Sequence, residues 1–216
     1  MNRLRTAVGA AAIVAAWASI GQAQDHRYRN LDYPSPWSFY AGPYYRFLVF
    51  DGWDAIPAEE YESGWMAGVE GGIRYFDKPW MLSAGGEFAF LGEAEVNGTD
   101  PVLGAFENRE EFMLYGGVIR IGVGSDNFTF GILGGAGVIT VDEEVFTVPT
   151  GRLSADDSDI YYKWGVFLER ALIGPDHGLQ LWGALDVDYT LTEIEDAAGR
   201  SNLRYWSFTI RVFLKY

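Results

Sequence analysis

Asp186 and Asp188 are the carboxylates whose spacing comes nearest to a catalytic pair. Two residues apart on an extended segment, they share one face, and paired acids can divide proton-donor and proton-acceptor roles. Acyl hydrolysis asks for more, namely a histidine beside a serine and an acid. The chain has only two histidines, His26 and His177. His177 lies in Pro175-Asp176-His177-Gly178, a turn-forming run. The absence of cysteine removes thiol nucleophiles, thiolate metal sites and disulfides. Gly134-Gly135 does not open a helix, so it offers no phosphate cradle. Asp156, Asp157 and Asp159 form the densest acidic cluster, but they lack the spacing and glycine of a calcium-binding helix-loop-helix. The sequence thus leads to the expectation of no enzyme, no cofactor and no defined metal site.

The elements that would position these residues are strands. From Trp206 to the end, Trp206, Phe208, Ile210, Val212, Leu214 and Tyr216 alternate with Ser207, Thr209, Arg211 and Lys215, and Phe213 is the one apolar intruder. Successive side chains of a strand point to opposite faces, so this segment has an oily side and a polar side. At the other end, Arg3 and Arg5 precede an apolar run over 7–20 and the small residues of Gly21-Gln22-Ala23. That run is shorter than the ~20 residues a helix needs to cross a bilayer, so residues 1–23 read as a secretory signal peptide. Residues 24–36, with Pro34 and Pro36, read as a periplasmic lead-in to one domain over 37–216. The net charge of −14 becomes more negative once the two signal arginines are removed, which argues against a nucleic-acid partner.

Eight alternating segments fit the rest of the chain, over 37–50, 65–76, 81–96, 111–123, 128–141, 160–172, 179–191 and 203–216. The connections alternate between long (51–64, 97–110, 142–159), short (77–80, 124–127, 173–178) and, last, middling (192–202). Long loops at one rim and tight turns at the other are the asymmetry of a membrane barrel. Alternation alone does not say which face points inward, since a soluble barrel hides its apolar face and a membrane barrel shows it to lipid. Aromatic residues near both ends of the strands and nearly charge-free oily faces favour the membrane orientation.

That orientation turns Arg46, Arg74, Arg120, Lys163, Arg211 and Lys215 into the lumen together with Glu70, Glu87, Glu169, Asp186 and Asp188. One arginine or lysine facing mid-bilayer lipid costs about 2–4 kcal/mol, so the opposite arrangement is disfavoured. The eight-strand lumen is only wide enough for side chains. Inward glycines such as Gly42, Gly68, Gly72, Gly85, Gly116, Gly131, Gly135 and Gly137 would leave room for the long charged ones. A filled, ion-paired interior is the expectation, with a narrow ion path gated by a rearranging salt bridge as the alternative. Two residues fit poorly: Pro43 inside the first strand calls for a bulge or a late start, and Arg170 falls on the outward face, where it could snorkel to the head groups.

The alternating final strand ending on an aromatic resembles the C-terminal strand of Gram-negative outer-membrane β-barrels, and the whole expected chain resembles the small eight-stranded members related to the barrel of outer-membrane protein A. The resemblance implies an antiparallel up-and-down barrel in the bacterial outer membrane, contacting lipid and lipopolysaccharide. It implies insertion by the barrel assembly machinery after escort by periplasmic chaperones, with Phe208, Ile210, Val212, Leu214 and Tyr216 as the assembly signal. Unlike the full-length parent of that group, the chain is expected to carry no peptidoglycan-binding domain after the barrel, which puts a wall-anchoring role in doubt. Lipid A deacylases share this architecture, but their motif has a serine two residues after the histidine, where Leu179 follows His177 here. Loop residues including Asp51, Asp54, Glu59, Glu60, Glu62, Asp142, Glu143 and Glu144 carry most of the excess negative charge, and clustered carboxylates could capture divalent cations. The function expected is a plugged barrel acting in envelope structure or surface interaction. A narrow porin-like channel is the second reading and a lipid A-modifying enzyme the third.

Overall fold

The computed structural model describes residues 35–53, 59–100, 104–147, 151–173, 179–196 and 199–216. Eight strands, β1 (Trp37–Trp53), β2 (Glu59–Asp77), β3 (Trp80–Asp100), β4 (Gly104–Ser125), β5 (Phe128–Thr147), β6 (Gly151–Ile173), β7 (Gln180–Asp196) and β8 (Gly199–Lys215), close into one barrel in sequence order. Every neighbouring pair is antiparallel, and β1 returns to pair with β8. At the seam, Phe39 and Tyr216 exchange backbone hydrogen bonds of 2.9 Å. Closure leaves no edge strand with unpaired backbone groups.

The eight expected segments are all present, but most run further at the loop end. The β4–β5 ladder continues to Glu107↔Phe146, and the β5–β6 ladder to Thr147↔Gly151, through residues that the sequence assigned to loops. Asp, Glu and Gly have low strand propensity, which is why these stretches read as loops. Cross-strand backbone pairing overrides that preference. Strands of 17–23 residues exceed the ~9–11 needed to cross a bilayer, so they project well past it on one side.

Solvent exposure follows the strand period. Ile119, Ile121, Ile132, Val166, Leu185 and Ile210 are exposed on the outer face, while Arg46, Glu70, Arg74, Glu87, Arg120, Lys163, Glu169, Asp186, Asp188 and Arg211 are buried inside. This reverses the distribution of a water-soluble protein. Outer aromatic residues mark two levels: Trp37, Trp80 and Phe128 at the turn end, and Tyr45, Tyr162, Trp164 and Trp206 towards the other. Trp164, Tyr189 and Trp206 form a row across β6, β7 and β8, with successive ring centroids 5.5 and 5.0 Å apart. Arg170 is exposed and pairs in register with Phe128 at the start of β5, so it stands at the turn-end rim.

Pro43 needs no bulge. The β1–β8 register is the same at Ala41↔Leu214 and Tyr44↔Arg211, on either side of it, so the proline is accommodated without a slip. Irregularities occur elsewhere. A shift between Ala89 and Glu93 in the β3–β4 ladder leaves Phe90 and Leu91 both facing outward and returns Gly92 to the interior. Bulges re-aim side chains in this way.

Inward glycines admit neighbouring tyrosines. A Cβ on Gly116 would lie 2.2 Å from Tyr161 Oη and 2.6 Å from the Ala136 carbonyl oxygen, whereas one on the outward Gly117 would meet only the Gly85 oxygen at 3.8 Å. Gly116→Val should therefore cost about 1–3 kcal/mol through overpacking, and Gly117→Ala about 0.5 kcal/mol or less. Urea unfolding of the two variants in phospholipid vesicles checks the difference.

The charged lumen as candidate functional site

Side chains along the barrel axis form three layers, set by position along each strand. On β8, Leu203 and Tyr205 come first, then Ser207, Thr209 and Arg211, then Phe213. The loop-end layer is an apolar cluster containing Tyr44, Leu48, Met66, Phe112, Leu114, Ile139, Tyr161, Leu203 and Tyr205. The turn-end layer consists of Tyr40, Trp182, Ala184 and Phe213 on one side and Met81, Leu133 and Phe167 on the other. Ionised groups occupy the space between and reach into the turn-end layer.

The larger ionic group joins five strands, β2, β4, β6, β7 and β8. Arg120 on β4 donates from Nη1 and Nη2 to both oxygens of Glu70 on β2 at 2.5 and 2.9 Å, and from Nη2 to Asp186 on β7 at 2.9 Å. Arg211 on β8 grips Asp186 with Nε at 3.0 Å and Nη2 at 3.1 Å, and reaches Glu169 on β6 at 3.1 Å. Arg74 donates to Glu169 as well. Neutral donors complete the carboxylate shells: Tyr40 Oη donates to Glu70 at 3.0 Å and Thr129 Oγ1 to Glu169 at 2.9 Å. Three arginines face three carboxylates here. Planar guanidinium forks suit such two-oxygen recognition.

A smaller group lies nearer the loop end. Glu87 accepts from Arg46 at 2.8 Å, from Lys163 at 2.7 Å and from Tyr161 Oη at 2.7 Å. Arg46 Nε also donates to Thr209 at 3.1 Å. Asp188, 1% exposed, accepts from Thr190 at 3.3 Å. Asp186 and Asp188 do share a face, but Asp186 is held by two arginines rather than freed for proton transfer.

Among the described residues, the buried charged ones are Arg46, Arg74, Arg120, Lys163 and Arg211 against Glu70, Glu87, Glu169, Asp186 and Asp188, five of each sign. They cancel. The structure brings these sequence-derived lumen residues together in the two groups described, and it sets Lys215 apart. Lys215 Nζ lies over the rings of Trp182, at 4.9 Å, and Phe76, at 5.8 Å. Sequence reasoning missed the two apolar layers, the neutral donors Tyr40, Thr129 and Tyr161, and the neutral acceptor Thr209. Strand phase was the available signal, since Tyr40 and Tyr44 alternate in step with Arg46, and Trp182 and Ala184 in step with Asp186.

Phe208, Ile210, Val212 and Leu214 face outward on β8, and Tyr216, just after it, is exposed. No group of three potential metal ligands occurs among the described residues. His26 and His177 lie outside the described residues, as do the expected signal peptide and most of the lead-in.

A closed antiparallel cylinder with an apolar exterior and a neutralised ionic interior is a transmembrane β-barrel of the bacterial outer-membrane kind. No family model matches the chain, and no curated protein does. Among solved structures it is similar to Ail, the attachment invasion locus protein of Yersinia pestis, at 15% identity over 85% of this chain and 100% of that one, with a TM-score of 0.42. It is also similar to Neisserial surface protein A, at 9% identity, covering 84% and 96% of the two chains, TM-score 0.35. A third similar structure is the outer membrane protease OmpT from Escherichia coli, at 9% identity, covering 87% and 99%, TM-score 0.39. These are likenesses of architecture.

The third overturns one expectation. The sequence reading that this chain is no enzyme does not stand, because barrels of similar architecture include a protease. The physical reason is that a barrel is a scaffold, and the fold by itself does not fix what the segments at its ends do. The side chains of the corresponding extensions here lie outside the described residues.

Removing one member of the larger ionic group should expose its balance. Arg120→Met leaves three carboxylates facing two arginines and should cost about 3–5 kcal/mol. The double variant Arg120→Met/Glu70→Leu restores equal numbers and should recover more than half of that loss. Equilibrium unfolding of both variants in vesicles measures it; equal destabilisation would show that charge balance does not set the loss.

Proposed function

We propose that this chain is a non-conducting outer-membrane barrel that holds acidic strand extensions outside the cell for surface or envelope interaction. One observation carries the reading: the ionic layer is neutral and lies between two apolar layers. An ion entering the axis would have to displace Leu48, Phe112 and Tyr205 and then cross an ionic layer whose charges already balance. Neither step resembles a filter that releases what it binds.

The extensions supply the chemistry presented outward. Asp51 lies near the end of β1, Asp54 comes after it in sequence, Glu59, Glu60 and Glu62 begin β2, and Asp142, Glu143, Glu144, Asp156, Asp157 and Asp159 belong to the β5–β6 end. Their partner is accordingly cationic: a basic protein surface, or divalent cations that also bridge lipopolysaccharide phosphates. One structure of the Yersinia protein was determined with the heparin analogue sucrose octasulfate. A polysulfated ligand is a poor match for carboxylate-rich extensions, so that ligand class is not carried over.

Escort by periplasmic chaperones and insertion by the barrel assembly machinery, reading Phe208, Ile210, Val212, Leu214 and Tyr216, belong to the same proposal. The porin-like alternative makes a different prediction for a planar bilayer. The refolded chain should show no steady conductance, and Arg120→Met should not create one. Discrete, reproducible openings of the unmodified chain would replace this reading with the channel.

A further inference from the structure

At the turn end of the lumen, β1, β2 and β8 bring three hydrogen-bond donors together. Ser38 and Arg74 are cross-strand partners in the β1–β2 ladder, and Lys215 pairs with Tyr40, one inward position further along β1. All three point inward: Ser38 is in step with Tyr40, Arg74 with Glu70, and Lys215 with Arg211. Arg74 is 2% exposed, and its Nη2 is committed to Glu169. Among the described residues, Arg74 Nε and Ser38 Oγ are buried atoms without a hydrogen-bond partner. The Arg74 guanidinium lies 5.4 Å from the centroid of Trp182, and Lys215 Nζ lies 4.9 Å from the same ring. Two cations thus share one indole.

Charge makes this cluster unusual within the barrel. The buried ionic groups among the described residues cancel, and the half-buried Lys215 stands outside that balance. Two carboxylates at this end already have partners. Glu169 is shared by Arg74, Arg211 and Thr129, and Asp126 at the rim is paired with exposed Lys78 at 2.5 Å. Low-dielectric walls formed by Trp182, Phe213 and Phe76 strengthen the field of the surplus positive charge. Buried donors left unpaired are costly, and a ligand that accepts from them recovers that cost.

We propose that Lys215, Arg74 and Ser38 form an anion-binding site opening to the turn end of the barrel, suited to a small oxyanion such as inorganic phosphate. Lys215 Nζ, Arg74 Nε and Ser38 Oγ donate to the oxygens, and the rings of Trp182 and Phe76 fix the approach of the ammonium. Arg74 keeps its pairing to Glu169, so occupancy does not disturb the ionic layer above. The site is independent of whether the lumen conducts.

Calorimetric titration of the full chain, refolded in octyl glucoside micelles, with inorganic phosphate in low-chloride buffer tests the assignment. One site is expected. Lys215→Gln should weaken it about tenfold or more and Ser38→Ala about threefold, while Lys78→Gln should leave it unchanged. Heat-modifiable electrophoretic mobility reports whether each variant is folded. Should Lys215→Gln not fold, the unmodified chain decides: phosphate should slow acetylation of Lys215, read by mass spectrometry, and not that of Lys78. No binding heat, equal affinity in folded Lys215→Gln, loss on Lys78→Gln, or equal protection of both lysines would overturn the proposal.

Discussion

An arginine on the axis of an eight-strand cylinder has no bulk water around it, so each one must find a carboxylate across the lumen or forfeit several kcal/mol. That requirement organises the interior. Glu70 receives Arg120, Asp186 receives Arg120 and Arg211, and Glu169 receives Arg211 and Arg74. Each arginine after the first is useful because it serves a carboxylate already half satisfied. The set therefore behaves as one object spanning β2, β4, β6, β7 and β8, rather than as separate pairs.

The apolar layers follow from the same constraint. Water entering from either end would compete for the carboxylates and weaken every pair. Leu48, Met66, Phe112 and Leu203 shield one side, and Trp182, Phe213 and Phe167 the other. Glycines opposite them, such as Gly116 facing Tyr161 and Gly85 facing Tyr40, make the room that large side chains need in so narrow a tube. Packing and electrostatics are satisfied by the same alternation of bulky and absent side chains.

Much of this was legible in the sequence because the strand period is two and the membrane enforces it. Arg46, Glu70, Glu87 and Asp186 could be assigned to one face before any coordinates, and the order of eight strands followed from turns such as 77–80 and 124–127. Partner choice was not legible. Whether Glu169 meets Arg74 or Lys163 depends on how far each strand is staggered against the next around the whole cylinder, which no single segment encodes. The bulge near Leu91 was hidden for a related reason, since it is a property of two strands. The acidic extensions read as loops on propensity alone, because what makes them strands is the partner strand beside them.

The partners of the ionic layer are far apart along the chain: Arg74 meets Glu169 across 95 residues and Arg211 meets Glu70 across 141. Until the last strand docks, the lumen is an open trough, and these groups can keep their water beside the oily outer faces. Joining β8 to β1 withdraws the same charges from water in a single event. The barrel thus conceals its own charges at the moment it closes.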